Sequence, residues 1–129
     1  MSTASSTSGR RDRNARGAVT AELALVLPLL VAVTTGLVWL LAIGADQLRA
    51  VDAARETARA LARGDAPGAA IGIGERVAPA GASVRVSTSG GQVHVTVTGE
   101  AAGPGGLFAA LPPAELHAEA VAVIEEGSP

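Results

Sequence analysis

The sequence of 129 residues predicts an α+β protein in which a long N-terminal transmembrane and stalk helix packs on a small three-stranded antiparallel sheet. Three observations carry this reading. Leu23 to Ala45 is a run of 23 residues without a charge. The stretch that follows, "ADQLRAVDAARETARALARGD", repeats an apolar residue every three or four positions. From Ser83 onward the period falls to two around a Gly–Gly pair.

Taken in order, residues 1–17 are a basic disordered leader. Arg10, Arg11, Arg13 and Arg16 stand against one aspartate, a net of +3, and the small polar start "MSTASSTSG" predicts disorder. Residues 18–45 are the transmembrane helix. The uncharged run alone rises about 34 Å, enough for a hydrocarbon core of ~30 Å. Pro28 removes one backbone donor and crowds the carbonyl of Ala24, which predicts a mild kink. Proline and glycine, here Pro28 and Gly36, are both tolerated in membrane helices.

Residues 46–64 read as an extracytoplasmic amphipathic stalk helix rich in good helix formers. Leu48, Val51, Ala54, Ala58 and Leu61 make its expected apolar stripe, and acids precede arginines by three at Asp46–Arg49, Asp52–Arg55 and Glu56–Arg59. Gly64 and Pro67 end it. A helix unbroken from Ala18 to Arg63 would be about 69 Å long.

Residues 65–129 form the outer domain, with a short helix around Ala69–Val77 and strands near 82–88, 92–98 and 115–125. Val84, Val86, Val93, Val95 and Val97 share one face; Arg85, Ser87, His94, Thr96 and Thr98 share the other. Gly90–Gly91 supplies a two-residue hairpin turn. In the third strand Leu116, Ala118, Ala120, Ala122 and Ile124 alternate with His117, Glu119, Val121 and Val123. Such a sheet needs one face covered, and the stalk stripe is the available cover. Leu107, Phe108 and Leu111 are expected to plug the end of this core; the alternative is a contact for another subunit.

Charge and composition narrow the function. Residues 18–129 carry six arginines and eleven acids, a net of -5. A basic head on an acidic body points to a cell-membrane protein with its N-terminus cytoplasmic and its C-terminus extracytoplasmic, and away from nucleic acid. With no cysteine there is no disulfide and no thiolate nucleophile. His94 and His117 are the only histidines, no G-x-S-x-G elbow occurs, and no lysine exists for a phosphate loop. The expectation is therefore no enzyme: no catalytic residue, metal, cofactor or small-molecule substrate.

One motif stands out. "RGAVTAE" places Gly17 after the arginines and Glu22 at the mouth of the span. A cut between Gly17 and Ala18 would make Ala18 the first residue and Glu22 the fifth. The new α-ammonium could then pair with the carboxylate of a neighbouring subunit, since a buried carboxylate is tolerated when partnered. The plainer reading of Glu22 is an interfacial residue at the positive end of the helix dipole.

With "RGAVTAELALVLPLL", "QLRAVDAARETARALARGD" and "ASVRVSTSGGQVHVTV", the chain resembles the TadE-like family, minor pilins or pseudopilins of the tight-adherence (Tad/Flp) type IV pilus system. The resemblance covers roughly residues 10 to 125. It implies a processing site at Gly17 and Ala18, an assembly or register role for Glu22, and membrane orientation by Arg10, Arg11, Arg13 and Arg16. Its implied partners are membrane lipid, other pilin or pseudopilin subunits, a prepilin peptidase, and an assembly ATPase with its membrane platform. Ala18 is smaller than the bulky first residue common in major pilins, and Leu23 stands where the major pilin has tyrosine. Both departures, with the long C-terminal part, favour a minor component. Two other classes stay open: a small secreted binding protein whose signal segment is removed after Ala45, and an unprocessed single-span anchored interaction protein.

Overall fold

A computed structural model describes residues 8–124; the first seven residues of the expected leader and the last five of the outer domain lie outside the described residues. Helix α1 runs Ser8–Ala62, followed by α2 (Pro67–Val77), β1 (Ser83–Ser89), β2 (Gln92–Ala101), a 3₁₀ turn at Gly106–Phe108 and β3 (Ala114–Val123). The chain divides into two units, Met1–Leu37 and Val38–Pro129, so their boundary lies within α1.

In the first unit α1 begins earlier than expected. The basic part of the leader, read from sequence as disordered, is helical from Ser8 onward. Arginine and alanine are good helix formers, and the Arg13 guanidinium donates from Nε to the Gly9 carbonyl at 3.1 Å. Further along, Leu25, Leu29, Leu30 and Val33 are all more than half exposed. The hydroxyls of Thr34 and Thr35 donate to the carbonyls of Leu30 and Val31, each at 2.8 Å. Those bonds satisfy both hydroxyl donors within the helix itself. Among the described residues α1 is the one helix long and apolar enough to cross a membrane, and its most apolar window is not buried at all.

The second unit is built on a sheet of order β1-β2-β3, antiparallel throughout. Gly90 and Gly91 adopt φ of 58° and 75°, the positive values that a two-residue type I′ hairpin turn requires. The alternation separates two faces. Val93, Val95 and Val97 are buried with Leu116 and Ala118, whereas Arg85, Ser87, His117 and Glu119 face solvent. Full burial of each valine stabilises by roughly 1.5–3 kcal/mol.

Of the expected stripe, Ala54, Ala58 and Leu61 are buried and Val51 packs partly buried against the core; Leu48 is the exception. Leu48 is 67% exposed; the buried positions are Ala50, Ala53, Ala54, Thr57, Ala58, Ala60 and Leu61. These follow the same three- and four-residue rhythm but select small side chains. The reason lies in α2. A Cβ on Gly74 would overlap Thr57 Oγ1 and press on the Ala53 carbonyl and the Val84 side chain. The two helices approach so closely that only small residues fit between them. Thr57 is fully buried and satisfies its hydroxyl on the Ala53 carbonyl at 2.8 Å. Packing also explains why α2 is helical despite three glycines, since tertiary contacts override propensity.

Helix α1 closes with Gly64 at φ 90°, Asp65 N–H bonding to Ala60 O and Gly64 N–H to Leu61 O. That is a Schellman cap. One polar clamp ties α1 to the sheet. The Gln47 side-chain amide donates to His117 O at 2.6 Å, and its Oε1 accepts from His117 N–H at 3.4 Å. β3 is an edge strand, so Gln47 supplies the partner that His117 would otherwise lack. Gln47→Ala is expected to lower the stability of this unit by about 0.5–1.5 kcal/mol, read as faster amide exchange at His117 than in the wild type.

Candidate functional site

The residues singled out from sequence all lie on the first four turns of α1 or just beyond. Arg10, Arg11, Arg13, Arg16, Gly17, Ala18 and Glu22 are each exposed and helical. Residues four apart on a helix are neighbours on one face, so Ala18 and Glu22 stand one turn apart, separated by a rise of about 6 Å. Thr20 Oγ1 donates to the Arg16 carbonyl at 2.9 Å and holds the helix across the Gly17–Ala18 bond.

This turn of helix is locally weak. Arg10, Arg13 and Arg16 recur at three-residue steps, and like charges at that spacing are destabilising. No acid lies in the first turn of α1, where the helix dipole favours negative charge. Gly17 adds about 1 kcal/mol relative to alanine. A Cβ there would meet nothing within 4 Å, so packing does not demand the glycine; Gly44 and Gly68 share that freedom.

Glu22 differs from its plainer sequence reading. Since α1 starts at Ser8, Glu22 lies in about its fourth turn, beyond the first turn over which the dipole acts. Among the described residues no cation lies within ion-pair distance of Glu22; the ion pairs are Asp46–Arg49, Glu56–Arg59, Arg63–Asp65 and His94–Glu119.

On the outer domain the sheet brings His94 Nδ1 to 3.6 Å from Glu119 Oε1, a pair from adjacent strands that attracts only when the imidazole is protonated. No group of three His, Asp or Glu is placed to hold a metal among the described residues. Two contacts were not foreseen from sequence: the Gln47 clamp, and a bond from Trp39 Nε1 to the Ala102 carbonyl at 3.0 Å. Sixty-three positions separate Trp39 from Ala102, and a lone indole donor has no periodicity to betray its acceptor. The one available hint was that a tryptophan near the end of an apolar run seeks a polar partner.

A Mycobacterium tuberculosis (strain ATCC 25618 / H37Rv) protein named Apoptosis inhibitor Rv3655c is 39% identical over 82 residues, which are 64% of this chain and 59% of that relative. The chain thus spans about three fifths of the length of the curated relative it matches. No solved structure matches the chain. Residues 17–59, from the glycine of the candidate processing site through the span to the buried alanines of α1, match the TadE-like protein family, which is consistent with a TadE-like protein of a Tad pilus system.

Proposed function

We propose that this protein is a structural subunit, a TadE-like minor pilin or pseudopilin. It is anchored by α1 with its N-terminus cytoplasmic and its outer domain extracytoplasmic. A prepilin peptidase trims it between Gly17 and Ala18, and an assembly ATPase with its membrane platform incorporates it into a Tad-type pilus or secretion pseudopilus. The observation that carries the reading is the family match itself, which begins at Gly17 and takes in the whole exposed apolar run.

The physical chemistry of the helix supports the order of events. A protease must read an extended backbone, so residues 8–17 have to unwind, and the like charges and Gly17 make those turns the least costly to open. Trimming then moves Glu22 from about the fourth turn of a helix to just past its first. There the carboxylate lies close to the positive end of the helix, one turn from a new α-ammonium at Ala18. Cutting creates the electrostatic setting in which Glu22 can pair with a neighbouring subunit. The four arginines remain with the leader and hold the N-terminal side in the cytoplasm until it is removed.

The test is the N-terminal residue of the protein recovered from the membranes of its own cell, read by mass spectrometry. Ala18 is expected. Asp46 would instead indicate a removed secretion signal, and an intact leader an unprocessed anchor.

A further inference from the structure

We propose that the loop joining β2 to β3 is a second membrane contact, in which Leu107 and Leu111 dip into the lipid interface beside the helix. The proposal rests on the membrane-anchored reading above. Sequence alone suggested that Leu107, Phe108 and Leu111 plug the core, but Leu107 is 81% exposed and Leu111 45%. Only Phe108 is partly covered.

Three features turn this exposure into a lipid contact. First, the loop is held at the level of the apolar run. Trp39, whose indole bonds the Ala102 carbonyl, belongs to the uncharged stretch that ends at Ala45. Tryptophan prefers the membrane–water boundary, so the start of the loop is fixed at that boundary. Second, residues 101–114, "AAGPGGLFAALPPA", carry no charge, and Glu100 and Glu115 bracket them. With no basic residue to attract anionic headgroups, the contact is apolar and does not depend on lipid charge. Third, the loop satisfies part of its own backbone. Phe108 N–H bonds Gly105 O, Ala109 N–H bonds Gly106 O and Leu111 N–H bonds Phe108 O, at 3.0 to 3.1 Å. Gly105 and Gly106 take φ of 79° and 56° to make this turn. Pairing backbone donors internally is what a segment must do to leave water.

The chain has no cysteine, so single labels can be placed cleanly. Leu107→Cys, Ser87→Cys and Leu30→Cys are each labelled with an environment-sensitive fluorophore on the full chain in phosphatidylcholine vesicles. The Leu107 label is expected to shift its emission to shorter wavelength and to be quenched by lipids bearing a nitroxide near the headgroup. The Ser87 label, on the open sheet face, should do neither, and the Leu30 label should be quenched by nitroxides deeper in the chain. A Leu107 label that stays water-exposed while Leu30 is lipid-buried overturns the proposal and leaves the anchor standing. Two water-exposed labels overturn both. A Leu107 signal that follows the protein-to-lipid ratio and ignores lipid nitroxides overturns it in favour of a subunit contact.

Discussion

Glu22→Ala is expected to enter the membrane and be trimmed as the wild type is, yet to be lost from the assembled filament. Insertion should not suffer, because removing a carboxylate relieves a cost of roughly 2.5–3.5 kcal/mol at the centre of a membrane helix, and less near its ends. Processing should not suffer either, because Glu22 lies more than a turn beyond the Gly17–Ala18 bond. Assembly is another matter. Taking one partner from a buried ion pair costs about 3–5 kcal/mol, and 1.4 kcal/mol is a factor of ten, so incorporation should fall by about 100-fold or more. Glu22→Gln, which keeps shape and hydrogen bonding but not charge, should fall between the two. The measurement is the ratio of subunit in sheared filaments to subunit in membranes, with the mature N-terminus checked in each variant. Wild-type incorporation of Glu22→Ala would reduce Glu22 to an interfacial residue and remove the register argument.

The span was legible in the sequence because a run from Leu23 to Ala45 without charge is a one-dimensional signal. The hairpin was legible because Gly90–Gly91 and the valine alternation each demand the same geometry. The stalk stripe was legible from Val51 to Leu61 but not at Leu48. Burial of large side chains is the usual guide, and it selected Leu48, whereas close approach of α2 through Gly74 selected Ala53 and Thr57. Helix–helix distance is a tertiary quantity that an alanine-rich sequence does not display. The loop misled for a related reason: three bulky residues suggest a plug, yet Leu107 points outward from a turn set by Gly105 and Gly106. At the candidate site the spacing of Gly17, Ala18 and Glu22 was visible. The helical start at Ser8 was not, and it is that start which places Glu22 far from the positive end of the helix until the chain is cut.

Gly74→Ala is expected to lower the stability of the outer unit by about 1–3 kcal/mol, the usual cost of overpacking, even though alanine favours a helix over glycine by about 1 kcal/mol. The obstacle is specific. The new Cβ would overlap Thr57 Oγ1, while its other neighbours, Ala53 O at 3.3 Å and Val84 Cγ1 at 3.4 Å, need to give by only a few tenths of an ångström. Thr57 cannot rotate its hydroxyl away without leaving the Ala53 carbonyl in a fully buried site. Thr57→Ala alone should also destabilise, by about 1–2 kcal/mol, because it deletes buried atoms and leaves a small void. Combined, the two changes should cost less than their sum by about 1 kcal/mol or more, since the added Cβ occupies the space vacated by Oγ1. Urea unfolding of the full chain in detergent micelles, followed through Trp39, reads this cycle directly, because the single tryptophan is hydrogen-bonded within the same unit. Costs that add to within about 0.5 kcal/mol would mean the pair is uncoupled. The spacing of α1 and α2 would then be set by Val84 and the Ala53 carbonyl, and the alanine stripe would owe its smallness to the sheet.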